Sequence, residues 1–350
     1  MSTAIETQEL TKRFRSMRSL RAAVFGPRDA IERVAVDGVS LSIPHGEVFG
    51  LLGQNGAGKT TLVRMLTTLL IPTSGTARIE GRDVVGDPHF ARSRIGLING
   101  DERSFYWRLT GRQNLEFFGA LRHLDPATSA RAIDRMAARL GMAEHLDRPF
   151  AKLSTGQRQA LAIIRGLLDE PAIVFMDEPT RSLDPISAAR LRRFVAEVVV
   201  GELGRTVVLA THSMPEAEDL CDRLAFIQDG RIVAQGSVPE LRRAIGYGTR
   251  CELRLRDIPN GLSDRLGRLP GLAAITVGAA EADAQDGATA VVRLNLVTDD
   301  ALPDLMRDLV TAGVAILACE TSELSLEEIY IRTLGSPATS APNAIAVAAR

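Results

Sequence analysis

Residues Val48–Thr60 read VFGLLGQNGAGKT, an apolar run that leads into a glycine-rich loop ending in lysine and threonine. The apolar run predicts a buried strand, and the apolar spacing after the loop predicts a helix packed on a sheet. From Gly53 to Thr60 the loop fits the pattern G-x-x-x-x-G-K-[ST] at every fixed position. Its glycines let backbone N–H groups face phosphate oxygens, and the helix directs its positive end at the same anion. The stretch therefore predicts a nucleotide site.

The residues predicted to hold the nucleotide are nine consecutive positions: Gly53, Gln54, Asn55, Gly56, Ala57, Gly58, Lys59, Thr60 and Thr61. Lys59 is expected to reach the outer phosphates, and the Thr60 hydroxyl is expected to bind Mg²⁺. Only three of the 42 basic residues are lysines, and one of them stands here, where a compact ammonium suits the site better than a guanidinium. The alternative, a glycine-rich turn without a ligand, is disfavoured because the full motif stands in its strand, loop and helix context.

Bulk composition is that of an ordinary globular chain. Its 350 residues suggest two domains, and a net charge of −1 leaves no basic excess for a nucleic-acid partner. The three cysteines are far apart in sequence, which predicts free thiols in a reducing compartment and not a disulfide or zinc framework. Neither a long apolar run nor a secretory signal is present, which predicts a cytosolic chain or one held at a membrane by something else.

Before the loop, strands are predicted at residues 4–10 and 34–43, on either side of a basic stretch at 15–33. We interpret the basic stretch as a solvated loop or short surface helix, with a membrane or partner contact as the alternative. After the loop, a strand is predicted at 95–98 and helices from 110 to about 146. The consecutive aromatics Phe105, Tyr106 and Trp107 between them are either a local core or a contact for another chain.

Charged and imidazole side chains follow two later apolar strands. Asp177 and Glu178 come directly after the run 172–176, and His212 follows the run 206–210. Ligands of open α/β sheets bind just beyond the carboxyl ends of the strands. We therefore expect these three side chains to converge with the glycine-rich loop on one site.

Beyond residue 248 the pattern changes. Strands and helices alternate in the order β-α-β-β-α-β from 251 to 318, with the first helix at 262–269, which suggests a small ferredoxin-like unit. A final helix is predicted at 324–334. The remaining residues, 335–350, are rich in Ala, Pro and Ser and are expected to be disordered.

Together the motifs over residues 4–245 resemble the nucleotide-binding subunit of ABC transporters. The resemblance implies an α/β fold of the P-loop NTPase, ABC ATPase type, with a RecA-like parallel core, an antiparallel β subdomain and a helical subdomain at about 110–168. The order of strands and helices after residue 248 adds to this a small C-terminal α+β domain of ferredoxin-like type at 249–334. The resemblance also implies an ATPase that uses ATP and Mg²⁺.

The segment Leu153–Gln157, LSTGQ, resembles the signature sequence of that family, with Thr155 in place of a glycine. The resemblance implies that Ser154, Thr155, Gly156 and Gln157 bind the γ-phosphate of ATP held by a second copy, and hence a homodimer. An uncapped helix start at Ser154 would supply the N–H groups for such an anion site. Without the glycine-rich loop elsewhere in the chain, the segment would be interpreted as a simple helix start, which is the commoner meaning of this pattern.

The resemblance also assigns roles to single residues. Asp177 resembles the aspartate that holds Mg²⁺, Glu178 the general base, and His212 the switch histidine at the γ-phosphate. Asp184 resembles the residue of the loop that communicates across the dimer, and Phe14 best matches the aromatic that stacks on adenine.

One position departs from the family pattern: Gly100, or less favourably Asn99, stands where a glutamine normally helps to hold Mg²⁺. Asp101 or Glu102 is a candidate substitute. The C-terminal unit and the final helix resemble the exporter branch that serves drugs, polysaccharides or lipids, in which an integral-membrane permease is a separate chain. The chain is then expected on the cytoplasmic side of the membrane, attached through the permease. The alternatives are a soluble ABC-type ATPase acting on ribosomes or DNA and a regulatory module without turnover.

Overall fold

The structure is a computed structural model that describes residues 2–17, 30–99, 104–245, 249–256, 272–277, 289–296 and 301–335. The chain divides into two compact units, Met1–Gln235 and Gly236–Arg350. Residues 236–245, expected in the first domain, lie in the second unit. The domain limits 4–245 and 249–334 stay predictions. The expected helix at 262–269 and almost all of the expected disordered tail lie outside the described residues.

The first unit is built around a six-stranded sheet in the order β10-β9-β3-β8-β7-β6. The pairs β9–β3, β3–β8, β8–β7 and β7–β6 are all parallel, as the predicted fold class requires. The strands of this sheet are β3 (Val48–Leu52), β6 (Ile95–Asn99), β7 (Ile173–Asp177), β8 (Thr206–Thr211), β9 (Arg223–Gln228) and β10 (Arg231–Gly236).

A second sheet, in the order β2-β1-β4-β5, is antiparallel and forms the expected β subdomain. Its strands are β1 (Thr3–Met17), β2 (Ala30–Pro44), β4 (Ser74–Ile79) and β5 (Arg82–Asp83). Strand β1 was expected to end near residue 10, and residues 15–33 were expected to be a loop or helix. That expectation was wrong at both ends of the basic stretch, where β1 and β2 continue as paired strands. Residues 18–29 lie outside the described part of the chain.

Helices flank the parallel sheet in the first unit. They are α1 (Lys59–Leu66), α2 (Pro88–Arg94), α3 (Gly111–Leu121), α4 (Pro126–Arg139), α5 (Thr155–Leu167), α6 (Pro185–Phe194) and α7 (Met214–Leu220). A π-helical segment, Val195–Glu202, continues α6, and 3₁₀ turns lie at Ala143–His145 and Phe150–Lys152. Helices α3, α4 and α5 contact one another, as expected of a helical subdomain, and the bounds of about 110–168 stay a prediction.

Strand alternation divides the core between the two faces of the parallel sheet. Phe175 and Val208 pack with α1 and the antiparallel sheet, whereas Val174 and Val207 pack with the helical subdomain. Successive side chains of a strand point to opposite faces, so β7 and β8 each contribute to both clusters. A sheet covered on both faces leaves polar groups room only at its strand ends.

The aromatic run between β6 and α3 is divided between core and surface. Phe105 is buried and stacks on Phe150, with ring centroids 4.7 Å apart. Tyr106 and Trp107 are about half exposed. Trp107 lies edge-on to Phe150, at 5.7 Å, and beneath the guanidinium of Arg158. Phe105 therefore belongs to a local core, as one of the two alternatives predicts, whereas a contact of Tyr106 and Trp107 with another chain stays a prediction.

The second unit contains a four-stranded antiparallel sheet in the order β12-β13-β11-β14. Its elements are α8 (Val238–Ala244), β11 (Thr249–Arg256), β12 (Leu272–Val277), β13 (Thr289–Leu296), α9 (Ala301–Thr311), β14 (Ala315–Glu323) and α10 (Leu326–Gly335). Leu305 and Leu309 of α9 pack on inward residues of the sheet. This strand order, with the first strand between the third and fourth, is that of a ferredoxin-like unit.

Candidate nucleotide-binding and hydrolysis site

The glycine-rich loop connects the fully buried strand β3 to α1. Gly58 has φ 115°, a left-handed conformation that side chains rarely adopt, and a Cβ there would lie 2.5 Å from the Ala35 carbonyl oxygen. A Cβ on Gly53 would lie 2.3 Å from the carbonyl oxygen of Ile227. Among the residues that the structure describes, no side chain caps the start of α1. The first-turn N–H groups of this helix therefore suit a phosphate, as predicted.

Lys59 is buried at the first position of α1. Its Nζ donates to the carbonyl oxygens of Gly53, at 2.6 Å, and Gln54, at 3.1 Å. Burial lowers the pKa of this ammonium, and the carboxylates of Glu178 and Asp177 act in the opposite direction. A partly desolvated cation at the loop can bind a phosphate anion strongly.

Thr60 and Asp177 form a small oxygen-rich group at the carboxyl end of β7. The Thr60 hydroxyl donates to Oδ1 of Asp177 over 3.2 Å. Burial raises the pKa of Asp177, and the bond from Thr60 and the charge of Lys59 oppose that rise. A hydroxyl and a carboxylate beside a phosphate-binding loop are hard oxygen ligands of the kind Mg²⁺ prefers. The residues present fit a magnesium ion.

Glu178 is held in place by its backbone and by two side chains. Its φ is +51°, and its N–H donates to the Ala210 carbonyl oxygen at 2.8 Å. The carboxylate is largely buried, with Oε1 3.1 Å from Nδ1 of His212 and Oε2 3.1 Å from Nη1 of Arg181. The expected Glu178–His212 proximity is thus present, whereas the ion pair with Arg181 was not foreseen from the sequence.

A buried acid supports the loop that carries His212. Glu216 on α7 is 1% exposed, and its Oε2 accepts from the Thr211 hydroxyl at 2.6 Å. The same hydroxyl accepts from the N–H of Ser213, so the residues on both sides of His212 are tied to this group. Burial raises the pKa of Glu216. This role could not be inferred from the sequence, because a glutamate in a first helical turn is common for its favourable interaction with the helix dipole alone.

Two adjoining cavities lie over these residues. One, of about 300 Å³, is lined by Phe14, Arg33, Ala35, Asn55, Gly56, Gly58, Lys59, Thr60, Thr61 and Glu178. The other, of about 610 Å³, is lined by Asn55, Thr60, Arg64, Asn99, Asp177, Glu178, Arg181 and Ser182. Phe14, 41% exposed on β1, therefore shares a cavity with the phosphate-binding loop. The structure brings the predicted base-stacking, phosphate, metal and general-base residues together.

The signature segment has a different environment. Ser154 caps α5 by accepting from the N–H of Gln157 at 3.3 Å, and the Gln157 side chain accepts from the N–H of Ser154 at 3.0 Å. The expectation of an uncapped helix start was wrong. The spacing Ser-x-x-Gln is a capping box, a signal already visible in the sequence. Thr155 is the first residue of α5.

Ser154, Gly156 and Gln157 line a separate cavity of about 220 Å³, whose described lining does not include the glycine-rich loop. Asp184 lies nearby and caps α6, accepting from the N–H groups of Ile186 and Ser187 at 3.0 Å each. Within one chain, neither the signature segment nor Asp184 is among the described residues that line the cavity containing Lys59.

The position that departs from the family pattern is only partly described. Residues 100–103, which include Gly100, Asp101 and Glu102, lie outside the described part of the chain. Asn99, the last residue of β6, stands opposite Asp177 in the sheet and lines the larger cavity. Its Oδ1 accepts from Nη2 of Arg165 at 3.2 Å.

Comparison with known proteins decides the family. Residues 36–181 match the ABC transporter family. The chain is 35% identical over 306 residues to the daunorubicin resistance ATP-binding protein DrrA3 of Streptomyces coeruleorubidus, covering 87% of this chain and 92% of that protein. The chain belongs to the ABC transporter family. It is an ATP-binding subunit and an ATPase, and its fold is the α/β fold predicted from the motifs.

Other relatives agree with this assignment. The ABC transporter ATP-binding protein NatA of Bacillus subtilis is 38% identical over 207 residues, which cover 59% of this chain and 83% of NatA. Among solved structures, cbiO1 from Clostridium perfringens, part of the ABC transporter complex cbiONQ, has a TM-score of 0.58 and 27% identity over 69% of this chain and 91% of cbiO1. Within the described residues, no helix is long and apolar enough to cross a membrane.

Proposed function

We propose that this ABC ATPase hydrolyses Mg²⁺-ATP in a head-to-tail homodimer and drives export through a separate integral-membrane permease. The observation that carries the proposal is the convergence of Lys59, Thr60, Asp177 and Glu178 on two adjoining cavities, with His212 in contact with Glu178. Their positions match the requirements of phosphoryl transfer, which depends mainly on positioning and charge stabilisation.

Each side chain has a task that its surroundings support. The first-turn N–H groups of α1 and Lys59 hold the β- and γ-phosphates, and Phe14 stacks on the adenine ring. Thr60 and Asp177 are the residues that would hold Mg²⁺, which supplies positive charge to the phosphate oxygens when bound.

Glu178 acts as the general base in the hydrolytic step. Its carboxylate orients a water molecule and accepts a proton as the water oxygen bonds to the γ-phosphorus. The bond from that phosphorus to the β-phosphate oxygen breaks, and ADP and phosphate result. His212 contacts the Glu178 carboxylate and donates toward the γ-phosphate.

The signature segment is proposed to act on the nucleotide of a second copy. In the described residues it lines a cavity of its own, apart from Lys59. A capped helix start still presents the Ser154 hydroxyl and the Gly156 N–H to an anion that approaches from outside the chain. Asp184 would lie at the same contact between copies.

The export direction and the separate permease rest on the relatives. DrrA3 and the daunorubicin/doxorubicin resistance ATP-binding protein DrrA of Streptomyces peucetius, which is 40% identical over 223 residues, are named for drug resistance. Exposed aromatics such as Tyr106 and Trp107 are typical of protein contacts. We assign this surface to the permease, which places the chain at the cytoplasmic side of the membrane.

The roles of the catalytic residues are tested with Glu178→Gln. This variant is expected to bind ATP with the affinity of the wild type, measured with a fluorescent ATP analogue, and to lose at least about 99% of phosphate release. Hydrolysis at the wild-type rate would overturn the assignment of the base, and loss of ATP binding would show that the site has been misassigned.

The permease is tested by purifying the tagged chain from its native membranes in mild detergent. A polytopic membrane protein recovered in stoichiometric amount supports the transporter assignment. Recovery with ribosomes or nucleic acid, or recovery alone, contradicts the coupling to a permease and leaves the ATP site standing.

A further inference from the structure

Arg181 lies three residues after the proposed general base and makes direct contact with it. Its Nη1 is 3.1 Å from Oε2 of Glu178, while His212 lies at the other carboxylate oxygen. The Arg181 N–H also donates to the Glu178 carbonyl oxygen at 3.2 Å, so a turn joins the two residues. The guanidinium and the imidazole therefore hold the carboxylate from both sides.

The backbone around Arg181 is fixed in an uncommon conformation. Glu178 and Ser182, on either side of it, both have left-handed φ values of +51° and +72°. Leu183 closes the turn with an N–H bond to the Thr180 carbonyl oxygen at 3.0 Å. Non-glycine residues keep such backbone angles only where the surroundings enforce them, so the turn presents Arg181 to Glu178 in a defined way.

The positive charge of Arg181 also offsets the negative charges that surround it in the cavity. The neighbouring acids Asp177 and Glu178 line the same cavity as Arg181 and Arg64. ATP brings several negative charges toward two carboxylates, and a cation paired with Glu178 offsets that repulsion. A guanidinium stays protonated at every working pH and holds a carboxylate through its rigid fork.

We propose that Arg181 is a positioning residue for ATP hydrolysis, which keeps the Glu178 carboxylate aimed at the attacking water. The inference rests on the proposed role of Glu178. Because Arg181 is largely exposed, the ion pair is a modest one, and the expected loss of kcat in Arg181→Ala is about two- to fivefold. KM for ATP and the affinity for a fluorescent ATP analogue stay within about a factor of two of the wild type.

Two further variants separate positioning from structure. Arg181→Lys keeps the charge without the fork and is expected to recover part of the lost kcat. In a Glu178→Gln background, Arg181→Ala is expected to cause no additional loss, because both changes act through one carboxylate. Arg193→Ala, an exposed arginine in the last turn of α6, is the matched control.

The outcomes are distinct. Unchanged kcat in Arg181→Ala, with Glu178→Gln inactive, overturns this inference alone. A rise in KM at constant kcat shows a phosphate-binding arginine and also overturns it. Wild-type hydrolysis by Glu178→Gln overturns the assignment of the general base, on which this inference rests.

A second inference concerns two cysteines of the C-terminal sheet, which the sequence separates by 68 residues. Strands β11 and β14 pair so that Cys319 stands opposite Leu253, two residues from Cys251, and the two Sγ atoms lie 3.7 Å apart. Cys319 is exposed and Cys251 is buried. The Cys319 thiol is therefore accessible to oxidants, and the Cys251 thiol lies close enough to react with an oxidised Cys319.

We propose that a peroxide converts Cys251 and Cys319 into a disulfide. The Cys319 sulfur attacks one peroxide oxygen, the O–O bond breaks, and a sulfenic acid and water form. The Cys251 sulfur then displaces that hydroxyl as a second water, so two thiols and one hydrogen peroxide yield a disulfide and two waters. Burial raises the pKa of Cys251 to about 12, so the second step is expected to accelerate as pH rises.

Peptide mapping under non-reducing conditions after hydrogen peroxide treatment tests the pairing. A linked peptide containing both cysteines is expected in the wild type and in Cys221→Ser. Thiol counts in denaturant should fall from three to one in the wild type and from two to none in Cys221→Ser. The variant Cys319→Ser is expected to form no link. Oxidation of Cys319 to sulfinic acid, or a link between two chains, would contradict the proposal.

Discussion

At the residue scale, the contact between Thr60 and Asp177 carries the metal assignment. Thr60→Val keeps the shape of the side chain and removes the hydroxyl. We expect it to weaken Mg²⁺-dependent ATP binding about tenfold, as loss of one ligand or its support does, and to leave Mg²⁺-free ADP binding unchanged. Titration calorimetry with and without Mg²⁺ measures both.

The matched control for that variant is Thr76→Val, an exposed threonine on β4. It should leave both affinities unchanged. If Thr60→Val lowered the Mg²⁺-free affinity as much as the Mg²⁺-dependent one, Thr60 would act on the phosphates and not on the metal.

Glu216 makes the stability of the chain depend on pH. Burial raises its pKa in the folded state, against opposition from the Thr211 hydroxyl and the nearby charges of Arg192 and His212. Above its ordinary pKa the unfolded chain releases this proton first, so the stabilising contribution is lost as pH rises through the folded-state value. Glu216→Gln should remove that part of the slope, because an amide still accepts from Thr211 without titrating.

Urea unfolding of the wild type and of Glu216→Gln at pH 5 and pH 8 measures this effect of Glu216 on the pH dependence of stability. The free energy of unfolding of Glu216→Gln minus that of the wild type should be larger at pH 8 than at pH 5, because only the wild type loses this contribution to stability as pH rises. An identical difference at the two pH values would mean that Glu216 does not titrate in this range.

At the element scale, the approach of α5 to β6 depends on two glycines. A Cβ on Gly166 would lie 2.4 Å from Cγ1 of Ile98, and one on Gly96 would lie 2.1 Å from the Gly166 carbonyl oxygen. The absence of a Cβ at both positions lets α5, the helix that begins at the signature segment, lie close against the sheet that carries Asp177. Gly166→Ala should lower the free energy of unfolding by about 1–3 kcal/mol, the usual cost of overpacking.

The variant Gly86→Ala is the control for that substitution, since its nearest neighbour would be an ordinary 3.6 Å away. Denaturant midpoints of both variants give the comparison. Equal midpoints for Gly166→Ala and the wild type would show that α5 moves aside at no cost.

The sequence predicts the site better than it predicts the surface elements. Asp177, Glu178 and His212 could be placed because buried parallel strands end where ligands bind, and the apolar runs mark those strands clearly. The long β1–β2 pairing could not be foreseen, because residues 15–33 show no alternation of apolar and polar side chains in the sequence.

Contacts that form only in the folded chain could not be predicted from the sequence either. The ion pair of Arg181 with Glu178 depends on a turn in which Glu178 and Ser182 have left-handed φ values. Such values are uncommon for residues other than glycine, so the sequence does not predict this turn. The approach of Cys251 to Cys319 follows from the pairing of two strands that 68 residues separate. Such contacts appear only once the sheets are assembled.

At the scale of the whole molecule, the central claim is that one catalytic site needs two copies of the chain. The signature segment and Lys59 line different cavities in the described part of one copy. Two variants with separate defects test this. Lys59→Met disables the phosphate site, and Ser154→Asp places a negative charge at the signature while an aspartate still caps α5.

The measurement is ATP hydrolysis by each variant alone and by an equimolar mixture of the two. Each homodimer should be nearly inactive, whereas a mixed dimer combines the intact loop of one copy with the intact signature of the other. The account predicts that mixing restores a clear fraction of wild-type hydrolysis, with a species of twice 37.7 kDa in the presence of ATP. A mixture no more active than its components, or a Ser154→Asp protein that hydrolyses ATP at the wild-type rate, would contradict it.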